Sequence, residues 1–583
     1  DTSVEEITNN QNGIITVAEG EYLDVKKQFS NNGFFTGSIK FSGDNITENN
    51  ILGDSNSEYK ELLIDTTKSI QFEGDSVIKT LKVVNAESVK FLSAVTINKI
   101  DDNGFTGDFY FDATKFDQNT GGSTSEGFKF NTSGVVYIGK DSNSQISFVN
   151  AASPVNFKHT AGKTLITGKL SANDVTLGET SISGTVTANN ITLEATEIKG
   201  ESELKINEAA TDGKITLKGN VVSTGSKNLT LNGNVEIPST SQLEINLNDG
   251  ILKTKDIKSE SSLSIKAKTQ TFGGEIFVAK DFTSEGETFT FADKVSVKQD
   301  AKIQNTGLLK ISDFVYGKSF VQKGSESKIG QVMISGSFEQ FEESGESENP
   351  TATFGSNVYF YNSSQNSLDI TIGSDKSSIL IDGNLIIAKS KENDVAIKGF
   401  VKSNNFALYS GNVDLSGNLS TEKDVVILGE NYSLKDDQTG IENLYSYTEN
   451  RPGHWSKASY TFETSLPDGT EISKNYAGTV KVAQNKSITV GKNLYANGTV
   501  FALSGALGSG KWKLNVPDTS VAANAFCEVY NSEVSDCDAA YQIAALQCTD
   551  KSGNQDWAFD DETGTVKITK AYSVSDNVIR VEF

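Results

Sequence analysis

Three cysteines are the side chains of this sequence best suited to covalent chemistry. Cys527, Cys537 and Cys548 lie close together near the C-terminal end of the chain, after more than 500 residues without a cysteine. Such a cluster favours an oxidising compartment, with one local disulfide and one thiol left over. The cysteines form no Cys-x-x-Cys pair and have no neighbouring histidine, so their spacing fits no set of zinc ligands.

The spacing does not decide which two cysteines pair, because the two intervals are almost equal. The run from Ser535 to Cys548 is compatible with a short helix or with two short strands. We favour strands, since the surrounding sequence is β-like, and a hairpin there would be closed by a bond between Cys537 and Cys548. Cys527 would then be a free thiol or a cross-link to another subunit.

Groups for acid and base catalysis are few and poorly arranged. His159 and His454 are the only histidines, and we expect both to be ordinary core or surface residues. Hydrolysis of polysaccharides needs two carboxyl groups that flank one bond. Neighbouring residues of a strand point to opposite faces, and the adjacent carboxylates lie in predicted turns: these pairs are Asp101-Asp102, Asp436-Asp437 and Asp560-Asp561. The sequence therefore predicts no enzyme, with a polysaccharide-degrading β-helix enzyme as an alternative.

Ionic ligands are also disfavoured by the composition. The net charge of −24 argues against binding to nucleic acid, whose phosphates require Lys and Arg. Arg451 and Arg580 are the only arginines, so bidentate recognition of an anionic ligand is not expected. The segment Glu339–Pro350 is rich in glutamate, but it lacks the alternating Asp or Asn residues of a calcium loop. We predict a solvated loop and no cofactor, with Ca²⁺ as an alternative.

The elements that carry these residues are predicted to be short strands. Between Asn189 and Ile237, triplets of aliphatic, polar and aliphatic residues return about every dozen residues, separated by Gly, Asn or Ser. Their aliphatic pairs are Ile191/Leu193, Leu204/Ile206, Ile215/Leu217 and Leu229/Leu231. One such coil cannot bury its own inner face and must stack on copies of itself, which predicts a β-solenoid with coils of about 22 residues.

Two further patterns predict how the coils are held together. Phenylalanines are frequent between Gly37 and Gln145, and we interpret this row as core packing. A Gly-Asn dipeptide before an aliphatic residue recurs, and its asparagines are expected to stack into amide ladders at one corner of the coils. These asparagines are Asn220, Asn234, Asn384, Asn412 and Asn418.

The predicted fold class is all-β: a right-handed parallel β-helix followed by an irregular, β-rich C-terminal region. We expect an N-terminal cap and first coil in residues 1–36, the β-helix in 37–429 and the terminal region in 430–583. The terminal region holds all three tryptophans and all the cysteines. No apolar run is long enough for a transmembrane helix.

The stretch Ile215–Ile237 and its neighbours resemble the right-handed β-helices of filamentous haemagglutinins and autotransporter passengers. The terminal region loosely resembles large β-helix proteins on the surface of spirochaetes, through segments such as Val425–Asp437, Val490–Thr499 and Val578–Phe583. These resemblances imply a secreted or cell-surface protein that is fibrous or adhesive, and they imply no catalytic residue. The predicted function is an extracellular structural subunit that self-associates into fibres. The alternative is an adhesin that binds glycans or proteins of a host or the environment.

Overall fold

Every regular element in the described part of the chain is a β-strand, as the sequence predicts. The structure is a computed structural model of the 583-residue chain. Its described part contains no helix with the length and apolar character needed to cross a membrane. The described residues are 1–117, 127–150, 153–240, 242–305, 308–323, 326–334, 338–340, 351–355, 357–361, 370–388, 394–428, 433–434, 440–447, 455–461, 479–492, 494–497, 501–504, 510–516, 522–525, 527–535, 543–546, 549–550, 552–555, 557–559, 570–575 and 578–582.

The chain divides into two compact units, Asp1–Val278 and Ala279–Phe583. The strands of the first unit, β1 to β35 in order, are Thr2–Asn9, Ile14–Thr16, Tyr22–Asn31, Phe34–Ser42, Asn49–Ile51, Glu58–Asp65, Ile70–Glu73, Val77–Ile78, Leu81–Asn85, Ser88–Phe91, Thr96–Ile97, Ile100–Asp101, Asp108–Phe111, Lys115–Asp117, Phe128–Phe130, Val135–Ile138, Gln145–Asn150, Ser153–Pro154, Phe157–Ile166, Lys169–Ser171, Asp174–Ile182, Thr185–Ala188, Asn190–Leu193, Thr196–Ile198, Ser202–Ile206, Lys214–Leu217, Val221–Ser223, Leu229–Asn232, Asn234–Ile237, Leu243–Asn246, Ile251–Thr254, Ile257–Ser259, Leu263–Lys266, Thr269–Phe272 and Ile276–Val278.

The strands of the second unit, β36 to β66 in order, are Phe282–Gly286, Thr288–Phe291, Val295–Asn305, Leu308–Lys323, Glu326–Ile334, Phe338–Gln340, Thr351–Phe354, Val358–Tyr361, Ile370–Ile372, Ser378–Ala388, Asp394–Ile397, Phe400–Ser410, Asn412–Leu415, Asn418–Thr421, Val425–Leu428, Ser433–Leu434, Gly440–Tyr447, Trp455–Thr461, Thr479–Val482, Ser487–Thr489, Leu494–Asn497, Phe501–Ser504, Trp512–Asn515, Ala522–Ala525, Cys527–Val529, Ser532–Ser535, Ile543–Leu546, Thr549–Asp550, Trp557–Phe559, Lys570–Ser575 and Val578–Glu582.

In the first unit the strands form three parallel ladders that the chain visits in turn. Ladder 1 contains β23, β26, β29, β32 and β35, and each of these strands pairs with the next. Ladder 2 contains β24, β27, β30 and β33, and ladder 3 contains β25, β28, β31 and β34. Three strands therefore make one coil, and the parallel strands of the chain stack as a β-solenoid of about 19 turns. Its right-handedness stays a prediction.

The interior of the first unit is filled by columns of apolar side chains that occupy the same position in successive coils. One column, in register from β7 to β24, runs through Phe72, Phe91, Phe111, Ile138, Ile166, Ile182 and Ile198, all of them buried. The ring centroids of Phe72 and Phe91 are 5.3 Å apart, and those of Phe91 and Phe111 are 5.8 Å apart. The phenylalanine row is thus core packing, which confirms that prediction.

The predicted aliphatic triplets are strands of the first unit, and most of their aliphatic side chains point inward. Ile191, Leu193, Ile215 and Leu217 are fully buried in ladder 1, and Leu229 and Leu231 are buried in ladder 3. The ladder 2 strands between Asn189 and Ile237 carry no aliphatic triplet, because they face inward partly with hydroxyl side chains, such as Thr196 in β24 and Ser223 in β27.

In the second unit, parallel pairing continues into the predicted C-terminal region. β48 pairs with β54, and the pairing continues from β54 through β57 and β60 to β63. This region also contains an antiparallel sheet of β51, β52 and β53 and a separate hairpin of β65 and β66. The domain boundaries at residues 36 and 429 stay predictions.

Candidate functional site

Only some of the candidate functional residues predicted from the sequence are among the described residues. Cys527 is the first residue of β60. Cys537, Cys548, His454 and the acidic pairs Asp436-Asp437 and Asp560-Asp561 lie outside the described residues, as do residues 341–350 of the glutamate-rich segment. The cysteine pairing, the free thiol and the calcium alternative therefore stay predictions. Within the described part of the chain, no group of three or more His, Cys, Asp or Glu side chains could hold a metal ion.

The basis for preferring the Cys537–Cys548 bond is weakened by the strand pairing. Ser535 ends β61, and the next described element is the strand β62, so the described ends of this run are strands. However, β61 pairs in parallel with β58, and β62 pairs in parallel with β59 and β64. The two strands are successive elements of the solenoid, and they do not form a hairpin with each other.

One polar arrangement surrounds Asp102, which is fully buried and directly follows β12. Its Oδ2 accepts hydrogen bonds from the backbone N–H groups of Asn131 at 2.7 Å and Thr132 at 3.1 Å. Its Oδ1 accepts a third bond from the side-chain amide of Asn131 at 2.9 Å. Asp101 is half-buried in β12, so it does not lie in the predicted turn. Neighbouring residues at the end of a strand point to opposite faces, so the two carboxylates form no joint acid-base pair.

His159 lies beside this carboxylate and is also fully buried. Its Nε2 is 3.1 Å from the carbonyl oxygen of Thr132, and because a carbonyl can only accept, Nε2 carries the hydrogen. Its Nδ1 then accepts from the hydroxyl of Thr164 at 2.8 Å. Burial lowers the pKa of His159, while the Thr132 carbonyl and the charge of Asp102 act in the opposite direction. His159 is a neutral core residue at neutral pH, as the sequence analysis predicts.

Two other buried carboxylates are neutralised by lysines. Asp112 accepts from the hydroxyl of Ser144 and lies 2.7 Å from the Lys140 ammonium. Burial acts to raise the pKa of Asp112, but Lys140 and Ser144 outweigh it and hold that pKa below its usual value. Asp117 lies 2.8 Å from Lys115. Each carboxylate already has a structural partner, which is the usual condition of a buried charge.

Asparagine amides form a ladder along one corner of the first unit. Asn173 donates from Nδ2 to Oδ1 of Asn156 at 2.8 Å, Asn189 donates to Asn173 at 2.7 Å, and Asn207 donates to Asn189 at 2.8 Å. Each amide thus meets the acceptor of the preceding coil. The predicted type of interaction is confirmed, but it lies at positions that no Gly-Asn dipeptide marks.

Two asparagines of the Gly-Asn dipeptides make a different bond. Asn220 accepts from the backbone N–H of Glu244 at 2.9 Å, and Asn418 accepts from the backbone N–H of Ser487 at 3.0 Å. Asn384 does form an amide pair of the predicted kind, as the acceptor of a 2.7 Å bond from Asn405. The difference arises because these side chains reach the exposed backbone of the next corner before they reach another amide.

Replacing the central amide of the ladder is expected to destabilise the first unit. In Asn189→Asp, a carboxylate oxygen would replace the donor that faces Asn173 Oδ1, so one bond becomes a repulsive contact. We expect the free energy of unfolding to fall by about 1–3 kcal/mol in chemical denaturation. Asn45→Asp, at an exposed position, is the matched control and should change little. Equal stabilities of the two variants would contradict the ladder.

The buried His159 predicts a loss of stability in mild acid. Its pKa is lowered in the folded state, so the unfolded chain binds a proton more readily as the pH falls below about 6.5. Stability is therefore fully present above that pH and decreases below it, towards the folded-state pKa. Gln can donate and accept in place of the ring, so His159→Gln should show a shallower dependence of the denaturation midpoint between about pH 7.5 and 5. Parallel profiles of the two proteins would show that His159 is not the titrating group.

Comparison with known proteins provides no family for this chain: no protein-family model, no curated protein and no solved structure matches it.

Proposed function

We propose that this chain is an extracellular structural protein that builds, with copies of itself, a fibre, filament or layer on a cell surface. The single observation that supports this proposal most is the stacked architecture of parallel coils. A solenoid grows by adding coils along one axis. Its outer faces are extended surfaces on which other molecules can bind without a pocket. Filamentous haemagglutinins and autotransporter passengers, whose sequence pattern this chain resembles, are secreted proteins of that kind.

The buried polar residues support a structural role over a catalytic one. Asp102, Asp112 and His159 each bind neighbouring coils or turns, and these bonds satisfy groups that burial would otherwise leave unpaired. A glycosidase would instead hold two carboxyl groups open towards a substrate.

We place the contact between copies at the first coil. Among the described strands, β1 pairs only with β3, and β2 only with β4, so both are edge strands of the described sheet. The side chain of Ile14 in β2 is 73% exposed, and its register partner Phe34 is 39% exposed. An edge strand with exposed apolar side chains is a suitable surface for strand addition by a second copy.

Electron microscopy and sedimentation velocity of the purified chain test this proposal. We expect filaments, layers or large oligomers, and more of them at high salt, because the net charge of −24 makes copies repel one another at low salt. Ile14→Lys should reduce assembly. Val84→Lys, at another exposed apolar position that is 49% exposed, should leave it unchanged.

A monomer at every concentration and salt level would contradict the proposal. A monomer that binds a defined glycan on an array would favour the adhesin instead. Release of reducing sugars from a polysaccharide by this chain would favour the enzyme.

A further inference from the structure

Two tyrosines of neighbouring coils are stacked on the outer face of the first unit. Tyr110 in β13 and Tyr137 in β16 are register partners. Their ring centroids are 3.9 Å apart and the ring planes differ by 7°. Both side chains are half-buried and alternate with inward-facing neighbours, so they lie outside the core and contact solvent.

The surroundings of the pair keep the two rings in place. Lys90 lies on the preceding coil, and its ammonium is 5.5 Å from the centroid of the Tyr110 ring. The same ammonium forms an ion pair with the carboxylate of Glu48 at 2.7 Å. On the following coil, Leu165 is the register partner of Tyr137. The rings therefore have a neighbour on each side, and both side chains are partly exposed to solvent. Burial, and then the phenol of Tyr137, raise the pKa of Tyr110, so its hydroxyl stays protonated at neutral pH.

Four other tyrosines, Tyr22, Tyr59, Tyr359 and Tyr409, lack this combination of contact and access. Tyr59, Tyr359 and Tyr409 are almost completely buried. Tyr22 is half-buried, but its register partner on the next coil is Ser38, which provides no second phenol. Among the described aromatic contacts, Tyr110 with Tyr137 is the one pair of two tyrosines.

We propose that Tyr110 and Tyr137 are a site of oxidative cross-linking, at which a dityrosine bond joins two successive coils of the solenoid. The oxidant is of the peroxide class, activated by a haem peroxidase. Parallel rings in van der Waals contact bring the carbon atoms ortho to the two hydroxyl groups close together, as coupling of two phenoxyl radicals requires.

The reaction balances without any group from the protein other than the two side chains. Each phenol loses one electron and its hydroxyl proton, and the two phenoxyl radicals combine through a bond between ortho carbons. The two ring hydrogens then move to the phenol oxygens and restore both aromatic rings. Hydrogen peroxide takes up the two electrons and two protons and becomes two molecules of water.

The bond would fasten together coils that are otherwise joined by backbone hydrogen bonds and packing. It closes a loop between β13 and β16 and restricts the unfolded chain, as a disulfide does. A solenoid that opens locally, coil by coil, would gain resistance to unfolding and proteolysis at this position. This inference holds whether or not copies of the chain associate.

Treatment of the full chain with a haem peroxidase and limiting hydrogen peroxide tests the proposal. We expect dityrosine fluorescence in the monomer fraction. Mass spectrometry should find a peptide pair that joins Tyr110 to Tyr137 and has lost two hydrogen atoms. Tyr137→Phe keeps the ring and should abolish that peptide pair and most of the monomer fluorescence. Tyr22→Phe is the matched control and should retain both.

Three outcomes would overturn the proposal. These are the absence of the Tyr110–Tyr137 peptide pair under oxidation, cross-links spread evenly over other tyrosines, and dityrosine found only between separate chains. Hydrogen exchange after oxidation gives a second readout. Amides of β13 and β16 should exchange more slowly in the oxidised protein than in oxidised Tyr137→Phe, and equal exchange would contradict a bond between these coils.

Discussion

The structure depends on the in-register hydrogen bonding of each strand to the strands one coil before and one coil after it. Parallel strands about 4.8 Å apart place equivalent side chains directly on one another. Every inward position is therefore constrained by its two neighbours in the column. In the column that passes through Phe91, Phe111 and Ile138, aromatic rings stack first and aliphatic side chains follow, and all three side chains are fully or almost fully buried.

The same constraint explains why polar residues can occupy the corners. The ladders keep their alignment although coils differ in length: Val175 pairs with Ile191, 16 residues later, whereas Phe109 pairs with Val136, 27 residues later. The turns absorb the difference, and their backbone groups need partners. Asp102 accepts from backbone N–H groups of the next coil, and the side chains of Asn173 and Asn189 bond to each other between coils. The corners therefore hold the coils together, as the core does.

Much of the fold could be predicted from the sequence. Alternation of inward and outward residues identified strands such as β23 and β26, because two aliphatic side chains with one polar residue between them leave a clear periodic signal. The periodic signal of β24 is weaker, because one of its two inward-facing side chains, Thr196, is polar and only Ile198 is aliphatic. The all-β class and the parallel solenoid are confirmed, since both follow from repeated local patterns.

The polar contacts could not be predicted, because they join residues whose separation depends on the coil length. Nothing in the sequence near Asp102 shows that Asn131 lies one coil away, and nothing near Tyr110 shows that Tyr137, 27 residues later, is its register partner. The Gly-Asn dipeptides misplaced the amide ladder for the same reason: a local motif indicates a corner, but not which groups meet there. In a solenoid, the register of the strands determines which side chains of different coils come into contact. That register depends on the whole stack and not on a local motif.

Engineered disulfides test the parallel register most directly. Thr192 and Thr216 are register partners on neighbouring coils, and adjacent strands have the Cα separation that a disulfide needs. Glu236 is one coil further along the same ladder, too far from Thr192 for a bond. The double variant Thr192→Cys with Thr216→Cys should form the engineered disulfide on mild oxidation, detected by peptide mass spectrometry, and Thr192→Cys with Glu236→Cys should not. Failure of the first pair with bonding of the second would contradict the stacked architecture.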